Sequence, residues 1–293
     1  MVGRAVYLRE MNEINTLAVV GAGTMGLGIA QLGIQHGLPT VLFDLNPTAL
    51  EKAQAAIAAG LGKLVEKSKL TAEARDAALA RLTATTDLGM VQADVIIEAV
   101  VERLDVKHQL FQELAAINGA ATILASNTSS LPITQLAAPV PNPERVVGLH
   151  FFNPAPLMPL VEVISGVATA PAVADAVEAL ARRLGKTPVR AADAPGFIVN
   201  RVARHYYVES LKVVEESVAP FQMVDELLEA SGFRMGPFRL MDLIGVDTNF
   251  SVTSAMFASF HQDAKFRPSR IQQQKVDAGH YGRKTGRGFY DYQ

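Results

Sequence analysis

Between positions 16 and 192 the chain alternates two kinds of pattern. Short aliphatic and β-branched runs are each followed by a polar or glycine-rich break. A longer stretch then carries apolar residues every three or four positions. Such alternation predicts strands and helices in turn, and hence a mostly parallel sheet covered on both faces. The strand-like runs are TLAVV (16–20), VLF (41–43), DVIIEAV (94–100), TILAS (122–126), VVGLH (146–150), LVEVI (160–164) and a piece near Pro188–Arg190. GAGTMGLGIA (21–30) opens a helical stretch that Pro39 ends. Leu50–Leu64 is alanine-rich and helical, and Thr71 caps a helix predicted to run to about Leu82. Amphipathic helices are predicted over about Asp105–Ile117 and Pro171–Leu184. After Asp193 the strand runs stop. GFIVNRVARHYYVESLKVVEESV (196–218) has apolar residues at helical spacing, which predicts a helical second domain from residue 196 to 293. The expected partition is a loose tail over 1–13, an α/β domain over 14–195 and the helical domain over 196–293.

Composition narrows the function classes. The 293 residues are 49% hydrophobic, enough for one large or two ordinary cores. A net charge of -2 gives no basic footprint for nucleic acid and no polybasic membrane face. With no cysteine, disulfides and thiolate metal sites are excluded, no metal is expected, and a cytoplasmic setting is the simplest reading. No apolar run reaches the roughly 20 residues of a membrane helix. MVGRAVYLRE (1–10) lacks the apolar stretch of a signal peptide, and Met11 is an alternative start.

Gly-Ala-Gly-Thr-Met-Gly (21–26) fits G-x-G-x-x-G, a weak signal alone. Its setting strengthens it: a strand precedes it, a helix follows, and the next strand ends at Asp44, 18 residues after Gly26. Gly21 permits the tight turn, Gly23 lets backbone approach a pyrophosphate, and Gly26 lets helix and strand pack closely. Thr24 and Met25 begin the helix, whose N–H groups face the same pyrophosphate. Asp44 can accept hydrogen bonds from a ribose and repels a 2′-phosphate, so NAD is expected rather than NADP. A structural glycine turn and a flavin site are the alternatives. The fold class is thus α/β, a Rossmann-type doubly wound sheet followed by an all-helical domain.

Ligands of open α/β sheets sit beyond the carboxyl ends of the strands. Three polar features fall there: SNTSS (126–130), His150 at the end of VVGLH, and Glu98 to Glu102. Glu162 shares a strand face with Leu160 and Ile164, a position for a carboxylate that is either marginal or paired. A nearby histidine would donate Nδ1–H to it and keep Nε2 as an acceptor, an arrangement suited to a general base. The plain alternatives are a core histidine and an edge-strand charge. Ser129 also reads as a turn cap and Asn200 as a helix cap.

The segments VGAGTMGLGIA, EAVVERLDVK, ASNTSSLPIT, GLHFFNPAPLMPLVEV, DAPGFIVNR, MGPF and GRKTGRGFYDY together resemble the L-3-hydroxyacyl-CoA dehydrogenase family, in the family's order, over nearly the whole chain after residue 13. The resemblance implies an NAD-binding Rossmann-type domain and a helical domain that forms a homodimer. It implies oxidation of the 3-hydroxyl of an acyl-CoA, with hydride passed to NAD. His150 then matches the catalytic base, Glu162 the carboxylate that orients it, and Ser129 and Asn200 the residues that hold the substrate. Glu102, Lys107, Asn153 and Lys284 match cofactor positions, and Asp44 matches the ribose-binding acid. Lys63 and Lys67 are candidates for the coenzyme A phosphates, or an ordinary solvated face. His205 stands where relatives often carry proline, which leaves chain-length preference open. Short 3-hydroxybutyryl-CoA is the first expectation and a dicarboxylic acyl-CoA the second. A dehydrogenase of free sugar or hydroxy acids, and a non-enzymatic NAD(H) sensor, are the competing classes.

Overall fold

The computed structural model describes residues 14–292, so the tail expected over 1–13 lies outside the described residues. The chain divides after Ala194 into two compact units. In the first, β1 (Leu17–Val20), α1 (Thr24–Gln35), β2 (Thr40–Phe43), α2 (Pro47–Glu66), α3 (Ala72–Leu79) and β3 (Leu82–Thr85) come first. There follow β4 (Val95–Glu98), α4 (Leu104–Ile117), β5 (Ile123–Ser126), α5 (Ile133–Ala137), β6 (Val146–Phe151), β7 (Leu160–Ser165), α6 (Pro171–Arg183) and β8 (Thr187–Ala192).

These eight strands form one sheet in the order β3-β2-β1-β4-β5-β6-β7-β8. Every neighbouring pair is parallel except β6 and β7. The order reverses between β1 and β4. Crossovers lead outward on both sides of that point, leaving a crevice above the ends Val20 and Glu98. β1, β4 and β5 are buried along their whole length, as strands covered on both faces must be. On one of the helices that cover the sheet, α4, Phe111 and Leu114 are fully buried, and each such side chain stabilises the fold by about 1.5–3 kcal/mol.

Two elements differ from the pattern-based expectation. α2 starts at Pro47 rather than Leu50, because the Asn46 side chain accepts from Thr48 N and proline suits the first helical position. The helix capped by Thr71 ends at Leu79, and LTAT (82–85) becomes the edge strand β3 instead of its last turn. β2 offers an open edge there. Thr40 N bonds Arg81 O and Asp44 N bonds Thr85 O, so the ladder extends past both ends of the strand.

The second unit is helical: α7 (Val199–Glu215), α8 (Phe221–Ala230), α9 (Pro237–Ile244), α10 (Val246–Ser259) and α11 (Arg270–Asp277). Its core joins Tyr207, Leu211, Phe238, Met241, Val246 and Phe289. Buried Asp242 accepts from Phe289 N, Tyr290 N and the Tyr292 hydroxyl, which holds GFYDY against α9. Among the described residues no helix is long and apolar enough to cross a membrane.

Candidate active site

The glycine turn sits at the sheet's switch point. Gly21 has φ +103°, and a β-carbon there would lie 2.7 Å from Ala99 O on the neighbouring strand end. A β-carbon on Gly26 would fall 1.7 Å from Gly21 O, so only glycine lets α1 start this close to β1. Gly23 faces open space. Thr24 opens α1 and is exposed, while Met25 is half-buried and packs on the core. Asp44 is fixed by the same turn: one carboxylate oxygen accepts from Ala22 N at 2.8 Å and the other from Asn46 N at 2.9 Å. A cleft of about 510 Å³ opens here, lined by Gly21, Gly23, Asp44, Leu45, Val100 and Leu110 among others. An exposed glycine backbone at a helix start, a carboxylate at the next strand end and an apolar slot between them suit an adenine dinucleotide. Among the described residues, no lysine or arginine lines the cleft to receive a 2′-phosphate.

Next to the cleft, the ends of β4 and β5 are joined by a buried charge network. Lys107, 1% exposed, reaches from α4 to both oxygens of fully buried Glu98 at 2.8 and 2.9 Å. It also meets Glu102 at 2.9 Å. Glu98 accepts in addition from Val100 N and the Ser126 hydroxyl, both at 2.7 Å. Glu102 Oε1 gathers the SNTSS turn: the Thr128 hydroxyl at 2.6 Å, Ser129 N at 2.9 Å and Ser130 N at 3.2 Å. Burial pushes the Glu102 carboxyl up. The Lys107 ammonium and the bonds from Thr128, Lys107 and Ser129 outweigh it, so the carboxyl sits below its usual range. Ser129 is half-buried at this turn. The partner of Glu98 is not legible in the sequence. The available signal was a carboxylate closing an all-apolar buried strand, nine residues before a lysine on the Phe111 face of a helix.

His150 and Glu162 lie on adjacent strands and are register partners in the antiparallel pair β6–β7. His150 Nδ1 stands 2.8 Å from Glu162 Oε2, with His150 5% and Glu162 1% exposed. The His150 ring contacts Phe152, centroids 4.5 Å apart. Asn127 ties the preceding turn to this strand, accepting from Phe151 N at 2.8 Å. A carboxylate at this distance can accept a hydrogen bond from Nδ1–H, the tautomer in which Nε2 is the acceptor nitrogen. Three groups thus share one edge of the sheet: the dinucleotide turn, the SNTSS turn held by Glu102, and the His150–Glu162 pair.

The other candidates stand elsewhere. Asn153 is exposed just past the end of β6. Lys63 and Lys67 are exposed at the end of α2, where Lys63 complements the helix dipole. Asn200 and Lys284 belong to the second unit. Asn200 lies inside the first turn of α7 and not at its cap, which is Ile198. Lys284 pairs with Asp247 at 2.7 Å.

Comparison with known proteins shows the family. The family model of the 3-hydroxyacyl-CoA dehydrogenase NAD binding domain matches residues 16–194, and that of the 3-hydroxyacyl-CoA dehydrogenase C-terminal domain matches 196–292. A 3-hydroxyadipyl-CoA dehydrogenase of Escherichia coli (strain K12) is 49% identical over 284 residues, 96% of this chain and 60% of that protein. Among solved structures, a 3-hydroxybutyryl-CoA dehydrogenase from Escherichia coli K12 has a TM-score of 0.94 at 48% identity, covering 96% of this chain and 60% of that one. An (S)-3-hydroxybutyryl-CoA dehydrogenase from Ralstonia eutropha has a TM-score of 0.93 at 41% identity, covering 96% of this chain and 100% of that one. The chain therefore spans 60% of the length of the Escherichia coli proteins and the full length of the Ralstonia chain.

Proposed function

Since the chain belongs to the 3-hydroxyacyl-CoA dehydrogenase family, with NAD as the cofactor of its N-terminal domain, we propose that it oxidises an (S)-3-hydroxyacyl-CoA to the 3-oxoacyl-CoA, reversibly, with His150 as general base. The observation that supports this most is the buried His150–Glu162 pair at 2.8 Å, at the sheet edge shared with the dinucleotide turn. Bound NAD+ supplies the hydride acceptor. His150 Nε2 takes the hydroxyl proton, and Glu162 stabilises the resulting imidazolium through Nδ1–H. In the reverse direction the imidazolium returns that proton to the developing alkoxide. Ser129 orients the substrate oxygen, itself held by Glu102 at its backbone N–H. The substrate role of Asn200, the coenzyme A role of Lys63 and Lys67, and the cofactor roles of Asn153 and Lys284 rest on the resemblance. Dimerisation through the helical unit is part of the same reading, supported by exposed Val218, Met223, Leu227 and Phe233.

A short acyl group is the first choice, supported by the full-length likeness to the Ralstonia 3-hydroxybutyryl-CoA dehydrogenase. The 49% identity to a 3-hydroxyadipyl-CoA dehydrogenase favours a dicarboxylic acyl-CoA as the second. NADH absorbance with (S)-3-hydroxybutyryl-CoA, (S)-3-hydroxyadipyl-CoA and the two free acids separates the readings. Turnover of thioesters alone is expected, and equal turnover of a free acid rejects the coenzyme A requirement.

Asp44→Ala tests the cofactor half. It removes the ribose acceptor and the clasp on Ala22 N. NAD binding is expected to weaken about 10- to 100-fold, the equivalent of 1.5–3 kcal/mol for a hydrogen bond to a charged group. NADP binding should fall less, and titration of both cofactors reads the ratio. An unchanged ratio removes Asp44 from cofactor selection.

A further inference from the structure

Lys186 lies in the turn between α6 and β8, only 8% exposed. Its ammonium points into the first unit and meets three backbone carbonyls: Ala155 O at 2.6 Å, Met158 O at 2.9 Å and Pro156 O at 3.4 Å. No carboxylate joins it among the described residues. Burial alone moves its ionisation, downward from the ordinary lysine value. The neighbouring backbone is anchored too, Lys186 N to Ala181 O at 2.9 Å and Thr187 N to Pro159 O at 2.7 Å.

Three N–H donors on one nitrogen face three carbonyls of one loop. Carbonyl oxygens converging on a point form the kind of site that elsewhere replaces the hydration shell of a potassium ion. Here the cation is covalently tethered. The loop it fills runs from Phe152 to Pro159 and joins β6 to β7, and so joins His150 to Glu162. The same loop packs against α1, where a β-carbon on Gly28 would lie 3.0 Å from the Pro156 ring and 3.1 Å from Ala155 Cβ. The loop thus contacts both the dinucleotide helix and Lys186, and Asn153 lies within it.

We propose that Lys186 is a positioning residue whose ammonium occupies a carbonyl cage formed by Ala155, Pro156 and Met158, and so fixes the loop that sets His150 against Glu162. Its effect on turnover rests on the dehydrogenase reading above; the cage itself does not.

Lys186→Ala in the full chain leaves the cage open to a small external cation. The probes are ammonium and methylammonium, with tetramethylammonium, which has no N–H, as the control at equal ionic strength. The expected results are a fall in kcat of up to about 100-fold, the size of an ångström-scale misplacement of reacting groups, and faster amide exchange at Leu157 and Met158. Both are reversed by ammonium or methylammonium and by neither addition of tetramethylammonium nor the Lys186→Met change, which fills the space without donors. A strap that only stabilises the fold would lower the melting temperature without amine-selective rescue of kcat. Unchanged kcat, or rescue equal in all three salts, overturns the proposal. If Lys186→Ala folds poorly, its refolding yield in ammonium against tetramethylammonium decides in the same way, and equal failure in both overturns the cage. If wild-type protein turns over no thioester, the dehydrogenase reading fails by itself, while the exchange measurement still judges the cage.

Discussion

His150→Gln is expected to lower kcat by about 10²–10⁴-fold, the usual contribution of general acid–base catalysis, while NADH affinity stays near that of wild type. Glutamine is close in size and can still face Glu162, so the β6–β7 pair keeps its register. What it lacks is a ring nitrogen that can accept a proton and return it. The substrate hydroxyl must then lose its proton to water or to another group as hydride departs. Stopped-flow turnover together with NADH titration separates this from unfolding, which would remove both. Near-normal kcat in this variant removes His150 from proton transfer. Glu162→Gln is a milder change on the same path, because it takes away the charge that stabilises the imidazolium and leaves the ring in place.

The largest stability effect is expected at Lys107. Lys107→Met leaves Glu98 buried at 0% exposure without its counter-charge and removes the cation that holds Glu102 low. Breaking a buried pair by deleting one partner costs about 3–5 kcal/mol, more than the pair contributed, because an uncompensated charge remains. Denaturant unfolding should show that loss. Adding Glu98→Gln to the same protein should recover part of it, since the stranded charge is then gone. A single-variant loss below about 1 kcal/mol, the size seen for exposed pairs, would contradict the buried-network reading. Turnover of the thioester should fall in parallel, because the SNTSS turn that carries Ser129 depends on Glu102 for the bonds to Ser129 N and Ser130 N.

Features that depend on neighbours in sequence were legible in the sequence. The glycine turn and Asp44 are readable because a strand, a turn, a helix and a second strand must follow in one order, and their spacing is local. The strand alternation around Glu162 likewise raised the expectation of a partner for it. The direction of β7 was not legible: period-two alternation is the same whichever way a strand runs, and only the register shows His150 opposite Glu162. β3 is not legible because Leu82 and Ala84 continue an alanine-rich helical pattern, and the open edge of β2 that decides the matter lies 42 residues earlier in the chain. Lys107 shares a helix face with Phe111 and Leu114, so a buried position was visible, but the carboxylate that makes burial tolerable lies on another element. Lys186 offers no sequence signal of its kind at all, since its partners are backbone carbonyls that any residue supplies.

Hydride transfer from the substrate to NAD+ is tested by following the hydrogen itself. Wild-type protein is mixed with NAD+ and (S)-3-hydroxybutyryl-CoA carrying deuterium at C3, and the reduced cofactor is analysed by mass spectrometry. The expected product is NADH that has gained one deuterium, formed from the thioester at a rate that His150→Gln slows. Unlabelled NADH, or no reduction with either the butyryl or the adipyl thioester, would contradict it.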